Sequence, residues 1–190
     1  MSEIAAPQDV LDRAAAAALR LAADRPWSEI TLRDIAREAE IGFAELYARA
    51  PGKAALLNRL SRRFDQAALT AAEADAAPDA EVHDRLFEAV MARLEAMAEH
   101  RDALIAIARA EGLAMLGPRL PLTARALLEA AGIDTGGPRG ALRVTAMTAV
   151  WVRVLQVWRD DEGALNRTMA EIDKRLRQMQ SRLTRIGAGY

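Results

Sequence analysis

The side chains best suited to chemistry lie between Thr31 and Lys53, and their types suit gripping a polyanion more than breaking bonds. Lys53 falls at the start of a predicted helix, where free backbone amides also favour an anion. Thr31 and Arg33 open another helix, and Arg49 ends the short one between them. Glu45 stands inside that short helix. A carboxylate near phosphate is repelled, yet it can accept a hydrogen bond from cytosine N4 in a major groove. Gly42 and Phe43 stand just ahead of it.

Covalent chemistry is poorly supplied. The chain has no Cys, so no disulfide, thiolate nucleophile or Cys-based metal site is available. His83 and His100 form no His-x-x-x-His or His/carboxylate ligand set, so no metal site is expected. No Ser is paired locally with a His and an acid. Gly136-Gly137-Pro138-Arg139-Gly140 is Gly-rich, but it follows no strand and lacks Lys-Ser/Thr, so a phosphate loop is not expected. Asp160-Asp161-Glu162 reads as a solvated turn. These readings argue against an enzyme, and neither a catalytic residue nor a cofactor is expected.

Short helices must position the polyanion-gripping set. Thr31 is a predicted N-cap with Asp34 three residues on, a variant of the capping box. Leu32, Ile35, Ala36 and Ala39 give that helix an apolar face. Glu40-Ile41-Gly42 breaks it, with Gly42 expected to supply the backbone freedom of the turn. The next helix spans Phe43 to Arg49. Pro51-Gly52 stops it and begins a longer one through Leu56, Leu57, Leu60 and Phe64. Ahead of this stretch, Asp9 to Ala23 reads as a helix, and Trp27 and Ile30 as core plugs in the connector. The spacing is that of a helix-turn-helix.

The remaining chain is helical by pattern as well. Ala, Leu, Arg and Glu dominate its 190 residues, which favours an all-α fold of about nine helices. Net charge is −1, so no global field draws the chain to nucleic acid or membrane. The N-terminus carries acids and no basic-then-apolar signal, and no run is long and apolar enough to span a membrane. A cytoplasmic location is expected. Ala76-Ala77-Pro78-Asp79 marks a boundary, and helices follow over Glu81–Glu99, Arg101–Leu116 and Leu120–Ala131. GIDTGGPRG at 132–140 reads as the longest loop. Ala141–Trp158 is apolar on more than one face. In the last helix Leu165, Met169, Ile172, Leu176, Met179, Leu183 and Ile186 form a sustained seam. The two final helices read as an antiparallel hairpin able to dimerise as a four-helix bundle, with Val154, Trp158, Met169, Ile172, Leu176 and Met179 at the dimer contact.

Segment 9–64 resembles the N-terminal domain of TetR-family transcriptional regulators at Thr31, Ile35, Ala36, Ala39, Ile41, Leu46, Tyr47, Pro51, Lys53 and Leu56–Leu57. The resemblance implies a helix-turn-helix over 1–50, a linking helix over 51–77, and a helical ligand-binding and dimerisation domain over 78–190. It implies a repressor that holds a DNA operator and is released by an effector. It also implies phosphate contacts from Tyr47 and Lys53, and it leaves base readout to Gly42, Phe43 and Glu45. The chain departs from the family pattern in three places: Glu45 stands where a small or hydroxylic residue is usual, Ala50 replaces an aromatic, and Ile41–Ala48 contains no Lys or Arg. Residues 1–65 carry ten basic and ten acidic side chains, so a positive face would need its acids placed elsewhere.

Segment 142–176 is similar to the C-terminal region of COQ lipid-binding proteins that assist ubiquinone biosynthesis, at Trp151, Trp158, Asp160–Asp161, Thr168, Met169 and Asp173. That resemblance implies a lipid or isoprenoid pocket, with the helix-turn-helix kept as scaffold. From the residues themselves, Met91, Leu104, Ile107, Met115, Met147 and Trp151 are the expected lining of an apolar pocket between bundle helices. Few charged side chains are expected inside these helices, which favours an apolar small molecule or lipid as ligand.

Overall fold

The computed structural model describes residues 9–74, 80–116, 118–161 and 165–190, with no side-chain placement for 113–116. The expected boundary at 76–79, and Gly117 and Glu162, lie outside the described residues. Nine α-helices and no strand occur among them: α1 (Val10–Asp24), α2 (Leu32–Glu38), α3 (Phe43–Arg49), α4 (Lys53–Ala74), α5 (Val82–Ala98), α6 (Arg101–Leu116), α7 (Leu120–Ala130), α8 (Gly137–Arg159) and α9 (Asn166–Arg185). A 3-10 turn, Trp27–Glu29, joins α1 to α2. The chain divides into two compact units, Met1–Arg62 with His100–Leu116, and Arg63–Glu99 with Gly117–Tyr190.

In the N-terminal unit, α1 supplies a flat wall of alanines: Ala14, Ala15, Ala17 and Ala18 are all buried, with Leu19 and Ala22. Small side chains let α2, α3 and α6 approach this helix closely. Trp27, Ile30, Ile35, Leu46 and Leu56 fill the space around it and are each at most 2% exposed. Trp27 and Ile30 are thus the core plugs their positions suggested. The Trp27 indole Nε1–H donates to the Glu111 carboxylate on α6, which satisfies a donor that burial would otherwise strand. At Gly112, φ 70 and ψ 174 interrupt α6, a conformation open to glycine and costly for other residues.

The C-terminal unit packs α7 on α8 and α8 on α9, with α5 against α7 and α9. Val144, Met147, Trp151, Val154 and Trp158 are buried on α8, and Ile172, Leu176, Met179 and Leu183 on α9. The seam on α9 is real, but it is covered within the same chain. Of the six expected dimer contacts, Val154, Trp158, Ile172, Leu176 and Met179 are buried inside the subunit, and only Met169 is exposed, at 41%. A heptad-like seam reports that a face is covered, and here α9 packs on α8 and α5 of the same chain.

Two further expectations are corrected. The loop after α7 is shorter than 132–140, because α8 already begins at Gly137; Pro138 is tolerated in a first helical turn. Gly140 is required there by space: an added Cβ would lie 2.1 Å from the Thr135 carbonyl carbon. Asp161 is not solvated. It is 5% exposed and accepts from the Thr168 amide at 2.8 Å and hydroxyl at 2.7 Å. Burial pushes its carboxyl up, but those two bonds outweigh it and hold the group below the usual carboxylate range.

Candidate nucleic-acid interface

The interface is built on the α2–turn–α3 pair. Thr31 caps α2 in a full capping box. Its hydroxyl accepts from the Asp34 amide at 3.1 Å, while the Asp34 carboxylate accepts from the Thr31 amide at 2.9 Å and hydroxyl at 2.6 Å. The Thr31 hydrogen bonds hold Asp34 below the usual carboxylate range. The hydroxyl expected to reach phosphate is therefore committed to the cap.

The turn differs from the sequence reading. Gly42 has φ −58 and serves as the N-cap of α3; the left-handed residue is Glu40, at φ 55. Glu40 N–H bonds to Arg37 O and Ile41 N–H to Ala36 O, closing a Schellman motif, and Ile41 folds inward as the buried residue after it. A non-glycine residue here costs free energy. What offsets that cost comes from α1: Arg13 Nη2 donates to Ala39 O and Glu40 O, both at 2.7 Å. Arg13 was not singled out from the sequence. The signal was a cation directly ahead of the alanine run Ala14–Ala18.

Lys53 is also turned inward. Its Nζ donates to Trp27 O at 2.8 Å and Ile30 O at 3.0 Å, and lies 4.4 Å from the Trp27 ring centroid. It staples the 3-10 turn to the start of α4. On the outer surface, Arg33 lies 4.1 Å over the Phe43 ring, and Phe43 meets Tyr47 at 5.8 Å between centroids. Tyr47 is 52% exposed. Arg33, Phe43 and Tyr47 thus form one row along α2 and α3.

The acids are not segregated from this face. Arg49 lies 3.4 Å from Glu45 and 3.9 Å from Asp9, and Arg37 3.7 Å from Asp34. Arg59 binds Asp12 in bidentate fashion, at 2.8 and 2.7 Å. Surface pairs of this kind contribute little to stability, but they temper the positive field that a phosphate meets. The structure therefore gathers Arg33, Gly42, Phe43, Glu45, Tyr47 and Arg49 at one surface, with Thr31 and Lys53 supporting it from behind.

Residues 15–60 match the sequence model of the family described as bacterial regulatory proteins, tetR family. That stretch runs from α1 through the α2–α3 pair into the start of α4. No curated protein matches the chain. Among solved structures, a TetR transcriptional regulator from Nitrosomonas europaea superposes with TM-score 0.69 at 23% identity, over 89% of this chain and 97% of that one. One from Rhodococcus sp. RHA1 gives 0.67 at 15%, over 92% and 97%. A TetR-family repressor of Thermus thermophilus, FadR, in complex with lauroyl-CoA gives 0.57 at 18%, over 89% and 92%. The chain is thus similar in fold to these TetR transcriptional regulators.

The expected ligand lining is split between the units. Met91, Met147 and Trp151 are buried in the C-terminal unit. Leu104 and Ile107 stand on α6, which clusters with α1 and the 3-10 turn. The side chain of Met115 lies outside the described residues. The C-terminal unit also contains charge in its core, where few charged side chains were expected. Arg93 on α5 is 4% exposed; its Nε donates to Asp65 Oδ1 at 2.8 Å, and its Nη2 to Thr123 Oγ1 at 3.3 Å. Its guanidinium lies 4.6 Å from the Trp151 ring and 5.9 Å from that of Phe64. Burial lowers the Arg93 pKa, opposed by the Asp65 charge. Thr123 also donates to Asp65 Oδ1 at 3.0 Å. Arg93 stands on the buried face of α5, three residues after Val90 and four before Met97.

Proposed function

We propose that this protein is a TetR-like, homodimeric repressor that seats α3 in a DNA major groove and is released by an apolar or acyl-bearing small molecule. The observation that carries this reading is the outward face of α3. It presents Ala44, Glu45, Tyr47 and Ala48 to solvent, within the stretch that matches the TetR-family model. Recognition helices of helix-turn-helix proteins enter the groove this way, and dimers read paired half-sites about one helical turn apart. Arg33, Tyr47 and Arg49 are the phosphate contacts in this reading. The acyl-bearing ligand is suggested by the Thermus thermophilus repressor's lauroyl-CoA. Such a ligand would act by binding better to the conformation that does not hold DNA. No described helix is long and apolar enough to cross a membrane.

Selection from random duplex DNA tests the reading. A palindromic site should emerge, with affinity falling steeply as salt rises. Recovery of no site sinks it. A second reading, a lipid-binding protein that keeps the helix-turn-helix as scaffold, is favoured by the inward turn of Lys53 and the pairing of Arg49 with Glu45. It calls for lipid co-extracted with the native protein that releases no DNA.

A further inference from the structure

We infer that Glu45 is the base-reading residue of α3 and that it selects cytosine at one base pair of each half-site. The inference rests on the reading of α3 as the groove-entering helix, and deepens it by naming the base.

The helical period fixes which residues could reach a base edge. Leu46 is fully buried and sets the inward direction of α3. At about 100° per residue, Ala44 and Ala48 point directly away from it, and both are exposed. Their short side chains allow the helix axis close approach to the groove floor, and their methyl groups suit apolar contact with thymine methyls. Glu45 and Tyr47 flank this alanine ridge on opposite sides. Tyr47 leans towards Phe43 and the row that Arg33 extends. Glu45 leans the other way, towards Arg49, 3.4 Å from it. Among the residues of the ridge and its flanks, Glu45 alone carries a hydrogen-bonding group on a side chain free of the aromatic row.

The chemistry of a carboxylate then decides the base. An ionised Glu offers acceptors and no donor. In the major groove guanine presents only the N7 and O6 acceptors, and thymine O4 with its methyl, so both oppose a carboxylate. Adenine offers N6–H but sets the N7 lone pair beside it. Cytosine offers the N4 amino group with no acceptor on its own ring edge facing the groove. The electrostatic objection to a carboxylate near phosphate is met locally by Arg49, which gives Glu45 a neutralising neighbour on the same helix. The same pair explains how α3 lacks a Lys or Arg before Arg49 yet can still hold a base preference.

The test is selection from random duplex DNA with the wild-type chain, Glu45→Ala and Glu45→Gln, each followed by binding to the recovered site at several salt concentrations. The wild type should recover a symmetric site with cytosine fixed at one position per half-site. A change of that base should cost on the order of ten-fold or more in affinity. Glu45→Ala should lose that discrimination, with the rest of the site unchanged. Glu45→Gln should move the preference from cytosine to adenine, since an amide matches adenine N6 and N7. A merely structural role for Glu45 would not switch the base. If all three proteins recover the same site, the inference is overturned and the regulator reading stands. If the wild type recovers no site, both fall.

Discussion

The two units of this chain handle buried polarity in opposite ways. In the N-terminal unit, cations at the edge of the core reach for backbone carbonyls: Lys53 holds Trp27 O and Ile30 O, and Arg13 holds Ala39 O and Glu40 O. The core itself is alanine, leucine, isoleucine and tryptophan. In the C-terminal unit, Arg93 stands inside the core with its Asp65 counter-ion, between aromatic faces. The first arrangement fixes turns and therefore the angles between the short helices. The second places a charge where its removal from water is costly, so it holds only while every partner stays in place.

The comparison breaks most visibly at Asp65. Asp65→Ala leaves the Arg93 charge buried without its carboxylate and should cost about 3–5 kcal/mol in denaturant unfolding. Adding Arg93→Met should recover stability, because an apolar side chain no longer needs that partner. If the double variant is less stable than the single one, the ion pair is not what the unit depends on. Next is Lys53→Met, which strips a charged donor from two carbonyls and should destabilise the N-terminal unit by about 1.5–3 kcal/mol. A turn-stapling role leaves the salt slope of DNA binding unchanged. A phosphate contact would reduce that slope by about one.

Smaller effects sharpen the same contrast. Arg13→Ala should cost about 1 kcal/mol by thermal unfolding, and Glu40→Gly should return a similar amount, of about 1 kcal/mol, by relieving the left-handed backbone. The opposite signs would separate the clamp from the strain it offsets. The smallest effect concerns Asp34, whose folded-state carboxyl is depressed by the Thr31 hydrogen bonds. Its contribution is present above the ordinary carboxylate value of about 4 and is lost as pH falls through its lower folded value. The stability difference between wild type and Asp34→Asn should be constant near neutrality and shrink below about pH 4. A difference that persists undiminished at lower pH would remove the ionised cap from the account.

What the sequence made legible follows the range of the interaction. The capping box at Thr31 and Asp34, the short helix Phe43–Arg49 and the helix that follows Asp9 are local, and the pattern of residue types alone exposes them. The turn at Glu40 was misplaced onto Gly42 because its stabilising group arrives from another helix. The seam of α9 was visible as a period, but a period carries no information about whether the covering helix belongs to the same chain. Arg93 was hidden by its type: a cation in an apolar slot reads as surface until Asp65, Thr123 and Trp151 are seen around it. At the interface, residue types announced Lys53 and Thr31 as anion contacts. The three-dimensional arrangement turns both towards the protein's own backbone.

The Arg13 clamp also bears on how the reading head forms. Its acceptors stand 26 and 27 residues along the chain from it. The left-handed turn gains its offsetting bonds only once α1 has docked. The α2–α3 pair is therefore not an autonomous folding unit: closing the turn and seating α1 are one cooperative event, and loop-closure entropy must be overcome before either is stabilised. A segment cut from Thr31 to Leu57 would keep its capping box and lose its angle.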